Sequence, residues 1–150
     1  MRTVQNILDT KPVPSNITTP NTRVIDALQG LLQVNLSYLV VMENDDYEGV
    51  FCERDYCRNV VLKGRSSSAA TVAEVMTTDL PRVQPGTTVE QCIHLINSHR
   101  TRYLVAYDGE HFAGIITIHD LMREVLRSRK DVFDSAVDEM ITSDEGGFVY

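Results

Sequence analysis

Displacing the chain by 65 positions lays residues 20–60 on residues 85–125 without a gap. Ten of the 41 paired positions are identical: Pro20/Pro85, Thr22/Thr87, Val24/Val89, Tyr38/Tyr103, Leu39/Leu104, Val40/Val105, Gly49/Gly114, Asp55/Asp120, Arg58/Arg123 and Val60/Val125. Ordinary composition accounts for about two or three. Val72/Val137 and Glu74/Glu139 hold the same offset. A duplication of this length constrains the fold strongly, because whatever one copy builds the other builds again.

Each copy reads as β-α-β-β-α, so the expected fold class is α/β (α+β), with two units packed as a pseudo-twofold pair. Extended pieces SNITTP (15–20) and PRVQP (81–85) end at a proline. A helix follows, with Val24, Leu28, Leu31 and Leu32 on one face in the first copy. Val89, Cys92, Ile93 and Ile96 form the equivalent face, at amphipathic-helix spacing, in the second. There Thr87 and Glu90 have the T-x-x-E spacing of a capping box. Two strands come next, YLVVM (38–42) and EGVFC (48–52), joined by the polar turn ENDDY. Their counterparts are YLVAY (103–107) and AGIIT (113–117), with Asp108-Gly109 as the hairpin turn. A last helix starts at Asp55 or Asp120, and in the second copy Leu121, Met122, Val125 and Leu126 form its buried stripe. The expected division is a first unit over 1–66 with its N-terminal segment, a linker over 67–77 entered through RSSSAA (65–70), a second unit over 78–141 and a polar tail over 142–150. TVQNIL (3–8) precedes the first unit as TVAEVM (71–76) precedes the second.

Composition narrows the function classes. The formal charge of -7 argues against a broad nucleic-acid or anionic-membrane surface, though not against a small anion in a local Arg pocket. No run approaches the ~20 apolar residues of a membrane span, and MRTVQNILDT lacks the apolar stretch of a signal peptide. Cys52, Cys57 and Cys92 form no C-x-x-C pair and are odd in number, which fits a reducing, cytoplasmic setting. His94, His99 and His111 match no metal-site spacing. The Asp45, Asp46, Glu48 turn lacks the glycine and terminal glutamate of a calcium loop. Gly146-Gly147 has no strand–helix context for a phosphate loop.

The pattern G-h-h-x-x-x-D after a strand occurs twice, as GVFCERD (49–55) and GIITIHD (114–120). With P-x-T-x-V at each helix start and TVAEVM between the copies, the chain resembles a tandem pair of cystathionine β-synthase (CBS) domains, or Bateman module, of the stand-alone kind. The resemblance implies a pair that is often a homodimer. It also implies clefts between the sheets for adenosine ligands: AMP, ADP or ATP, with S-adenosylmethionine or NAD(H) as alternatives. It implies a regulatory role without catalytic machinery, acting on a protein in trans, with no obligatory cofactor.

Asp55 and Asp120 read locally as helix N-caps, and the resemblance adds ribose recognition by their carboxylates. Thr117 stands three residues before Asp120, where its hydroxyl can meet a ribose or phosphate oxygen. Cys52 stands at the equivalent place in the first copy, a departure from the Ser or Thr common in the family, and a thiol is a weak donor. Arg102, whose counterpart is Ser37, holds a position that the family often gives to a phosphate-contacting base. Arg54 and His119 precede the two aspartates and are further candidates; a guanidinium suits bidentate phosphate contact. Arg100, Arg102, Thr117 and His119 together favour the second half for phosphate. By family analogy Ile17, Thr18 and Val83 lie at an adenine wall, with Tyr38 and Tyr103 near it. The alternative class is a dimerisation or protein-interaction module with degenerate clefts. An enzyme is disfavoured because no base–nucleophile pair or metal cluster is legible.

Overall fold

The structure, a computed structural model, describes residues 1–12, 14–34 and 36–143. Most of the expected tail, residues 144–150, lies outside them. The first copy comprises β1 (Ile17–Thr18), α2 (Val24–Val34), β2 (Tyr38–Glu43), β3 (Asp46–Cys52) and α3 (Glu53–Asp55), which runs on as a π-helical stretch (Tyr56–Val61). The second comprises β4 (Arg82–Val83), α5 (Val89–His99), β5 (Tyr103–Asp108), β6 (His111–Thr117) and α6 (Ile118–Ser143). Two short helices complete the chain: α1 (Val4–Thr10) and α4 (Val72–Val75). The fold is α+β. It has two three-stranded sheets, ordered β1-β2-β3 and β4-β5-β6, each with one parallel and one antiparallel pairing.

The strands YLVV and YLVA are apolar at every position because both faces of each sheet are covered. Leu39, Val41 and Phe51 point into a core with α2, and Leu104, Ala106 and Ile116 into a core with α5. The alternate residues Tyr38, Val40, Val50 and Cys52 meet Tyr103, Val105 and Ile115 in a third cluster, the seam between the sheets. Period-two alternation thus serves two apolar layers rather than one apolar and one wet.

The short helices are exchanged between the copies. Val4 and Ile7 of α1 enter the core of the second sheet, while Val72 and Val75 of α4 enter that of the first. The backbone shows why. The N–H groups of Val4 and Gln5, orphaned at the start of α1, donate to the carbonyls of Thr87 and Pro85. Those of Val72 and Ala73 donate to Thr22 and Pro20. The repeated P-x-T-x-V segments therefore supply carbonyl caps to a helix from elsewhere in the chain.

Several local expectations shift. The capping box of α5 is Thr88 with Gln91, while the Thr87 hydroxyl accepts from the Gln84 N–H. The second hairpin closes between Asp108 and His111, so Gly109 and Glu110 form the turn, with Gly109 at φ 63°. The last helices start at Glu53 and Ile118, ahead of the two aspartates. Leu32, Met122 and Leu126 are exposed, because α2 and α6 each cover a sheet with a narrower stripe than the apolar spacing suggests.

Gly49 lies beside the bridge between Val50 and Thr77, whose N–H groups and carbonyls pair at 2.9 and 2.8 Å. A Cβ on Gly49 would lie 2.6 Å from the Thr77 carbonyl oxygen. Gly49→Ala is expected to cost about 1–3 kcal/mol, as overpacking against backbone does. Chemical denaturation followed by circular dichroism measures it; an unchanged midpoint would show that the bridge yields freely.

Candidate functional site

Each aspartate of the repeated motif occupies the third position of its helix and reaches back to the N-cap backbone. Asp55 Oδ2 accepts from the Cys52 N–H at 2.9 Å, and Asp120 Oδ2 from the Thr117 N–H at 2.9 Å. Thr117 Oγ1 accepts in return from the Asp120 N–H at 3.2 Å. Cys52 and Thr117 are therefore the N-caps, and the aspartates are the back-reaching partners of a capping box. Both carboxylates are buried, at 5% and 4% exposure.

A buried carboxylate needs further partners, and here the copies diverge. Asp55 Oδ1 accepts from the Thr77 hydroxyl at 2.6 Å, a neutral donor delivered by the segment that follows α4. Asp120 is held by two cations. Lys11 Nζ lies 2.7 Å from Oδ2 and also donates to the Ile115 carbonyl at 2.7 Å, while an Arg123 N–H donates to Oδ1 at 2.6 Å. Burial opposes ionisation of Asp120. The Lys11 hydrogen bond and charge, the Thr117 N–H and Arg123 together outweigh it, holding its pKa below the usual carboxylate range. Burial pushes the Cys52 thiol up to about 11, with the Asp55 charge adding to it, so the sulfur is a thiol at neutral pH.

Around each aspartate opens a cleft lined by both copies. The Asp120 cleft, about 460 Å³, is bounded by Thr117, His119 and Arg123 on one side and by Asn16, Ser37 and Tyr38 on the other. The Asp55 cleft, about 270 Å³, is bounded by Cys52, Arg54, Arg58 and Thr77 on one side and by Arg100 and Arg102 on the other. Arg102 and Tyr103 line both. At the seam between them the Tyr38 and Tyr103 rings stand 5.0 Å apart, and the Tyr103 hydroxyl lies 2.8 Å from Ser37 Oγ. Burial raises the Tyr103 pKa, so the phenol stays protonated.

The structure thus gathers nine of the twelve sequence candidates around two clefts: Tyr38, Cys52, Arg54, Asp55, Arg102, Tyr103, Thr117, His119 and Asp120. Val83 is instead 2% exposed in the second core, and Ile17 and Thr18 of the β1 edge line neither cleft. The residues just before the first strands do, Ser15 and Asn16 in one cleft and Leu80 and Pro81 in the other. The grouping of Arg100 with Thr117 and His119 is also undone, since Arg100 lines the Asp55 cleft. Sequence reasoning missed Lys11, Thr77, Arg58 and Arg123 at the clefts. The last two are an identical pair on the 65-residue offset, which was the available signal. Among the described residues no group of three His, Cys, Asp or Glu side chains is placed to hold a metal ion, and no helix is long and apolar enough to cross a membrane.

Comparison with known proteins agrees with this architecture. The CBS domain family profile matches residues 72–127. A mitochondrial CBS domain-containing protein of Arabidopsis thaliana, CBSX3, is 31% identical over 118 residues, which are 75% of this chain and 57% of that one. The chain thus spans little more than half of that relative. A solved structure from Burkholderia ambifaria, a putative signal-transduction protein with CBS domains, superposes with a TM-score of 0.76 at 37% identity. That match covers 83% of this chain and 94% of the other. A structure of CBSX2 in complex with AMP shares the fold, at 24% identity, a TM-score of 0.71, and 86% and 99% coverage. The internal repeat, the paired sheets and a match over nearly the full length of the Burkholderia protein have one common source: this chain belongs to the CBS domain family.

Proposed function

We propose that this CBS regulatory module binds adenosine-containing ligands of the AMP, ADP and ATP class in its two inter-sheet clefts, without catalysing their conversion. The observation that carries this reading is the pairing, in each cleft, of a buried carboxylate with guanidinium groups: Arg54, Arg58, Arg100 and Arg102, from both copies, around Asp55, and Arg102 and Arg123 around Asp120. A carboxylate accepts from ribose hydroxyls; guanidinium groups donate charge-assisted hydrogen bonds to phosphate oxygens. The AMP complex of CBSX2 supports the ligand class. Because each cleft draws on both copies, a ligand that bridges them favours whichever relative orientation it fits better. That difference in affinity is what a regulatory module transmits. S-adenosylmethionine and NAD(H) are the competing ligands, and the receiver of the signal is a second protein or a second copy of the chain.

Arg102 separates phosphate recognition from nucleoside recognition, since it lines both clefts. Calorimetric titration with adenosine, AMP, ADP, ATP, S-adenosylmethionine and NADH tests the reading. Arg102→Ala is expected to weaken AMP binding by about tenfold or more, the cost of a charge-assisted hydrogen bond, with adenosine much less affected. Absence of binding by all six at millimolar concentration, or an unchanged AMP affinity in the variant, would count against it.

A further inference from the structure

The two clefts hold their aspartates in chemically different states. Asp55 is met by a neutral hydroxyl and a backbone N–H, apart from the weak Cys52 thiol. Asp120 is met on both oxygens by cations, and one of them, Lys11, has only 26% of its side chain exposed. Lys11 closes the C-terminal end of α1, its N–H bonding the Ile7 and Leu8 carbonyls. Its ammonium is fixed twice, on Asp120 and on the Ile115 carbonyl of β6. The ribose cis-diol is a pair of donors and needs a carboxylate with acceptor capacity on both oxygens. Asp120 Oδ2 already accepts two hydrogen bonds and Oδ1 a third. A ribose diol and the Lys11 ammonium are therefore rivals for the same lone pairs, and it is in the roomier of the two clefts that the rival is a charged side chain.

We infer that Lys11 is an internal latch on the Asp120 cleft, so that a nucleoside enters only as the Lys11–Asp120 contact opens. This inference rests on the adenosine-ligand reading and deepens it. Lys11, Pro12, Pro14, Ser15 and Asn16 border the cleft. Displacing the ammonium therefore frees the end of α1 from Asp120 and from the Ile115 carbonyl. Ligand arrival is thereby coupled to a helix that belongs to the second core. Arg123 is the weaker rival, since 63% of its side chain is exposed and it can swing into water.

The prediction runs opposite to a phosphate-binding role for Lys11. Lys11→Met keeps the apolar stem and removes the ammonium. It is expected to raise the affinity for adenosine, which carries no phosphate, by at least about tenfold. The gain should vanish in Lys11→Met/Asp120→Asn, and it should be much smaller for 2′-deoxyadenosine, which lacks one of the competing hydroxyls. Lys11→Gln provides a second variant should Met perturb the fold, and circular dichroism melts verify that each variant is folded. Unchanged or weaker adenosine binding in folded Lys11 variants overturns the latch while leaving the adenosine reading in place. An equal gain for 2′-deoxyadenosine also overturns it, since the released group would then not be receiving the ribose. Failure of every variant to bind adenosine, together with failure of the wild type to bind AMP or ATP, removes both.

Discussion

Replacing Val4 and Ile7 together by alanine is expected to lower stability by about 5 kcal/mol and to loosen the second sheet rather than the first. The two side chains are 0% and 2% exposed and share a core with Val83, Leu104 and Ile116. Truncating a buried isoleucine costs about 2–5 kcal/mol, and the valine adds to it, because the cavity left behind collapses only in part. The backbone of α1 is tied to the same half through the Thr87 and Pro85 carbonyls, so no alternative packing is at hand. Denaturant unfolding measures the loss. Amide hydrogen exchange locates it: protection should fall first in β5 and β6, far away in sequence, and later in β2 and β3. The reverse order would mean that α1 serves the first half.

The second large effect is at the latched carboxylate. Asp120→Ala is expected to cost about 3 kcal/mol at neutral pH, the scale of breaking a buried ion pair. It strands the Lys11 ammonium on a single carbonyl and orphans the Thr117 N–H. The exposed Arg123 adds little. Asp55→Ala is expected to cost only about 1–2 kcal/mol, because its partners are a hydroxyl and a capped N–H. The pH dependence has a definite sign. The folded carboxyl of Asp120 titrates below its ordinary value, so its contribution is complete above about pH 4 and is lost as pH falls through the folded value. Urea unfolding between about pH 2 and 7 should therefore show an acid limb that is steeper in the wild type than in Asp120→Asn. Superimposable limbs would show that the Lys11 pair contributes nothing.

These residues show where sequence reading succeeds and where it stops. The strands YLVV and YLVA and the turns between them are local patterns, and the 65-residue register doubles every such signal. Asp55 and Asp120 were therefore visible as partners before any geometry. Val83 and Ile17 line neither cleft, and two-residue strands carry too little periodicity to tell the core face from the cleft. Lys11 and Thr77 were missed for a different reason. An amphipathic helix declares that it has an apolar face, not which sheet will cover it. The clue was that the TV segments break step: the 65-residue offset carries Thr3 onto Ser68, not onto Thr71. The exchange of α1 and α4 and the unequal treatment of the aspartates are both long-range facts, settled by which carbonyls lie at a helix start in three dimensions.

The crossing of α1 to the far half also sets an order in time. A ribosome releases the chain at roughly 5–20 residues per second, so α1 waits about 5–20 s for the hundred or so residues that build its core. The first half meets no such delay, because α4 follows its strands directly and folds back on them. The nascent chain thus completes one half while Val4 and Ile7 are still unclaimed. The final event is a long loop closure that brings the two halves and the clefts between them into being together. A ligand that bridges the two halves, as proposed for adenosine nucleotides, would have no site until that closure and would then favour the finished fold by mass action.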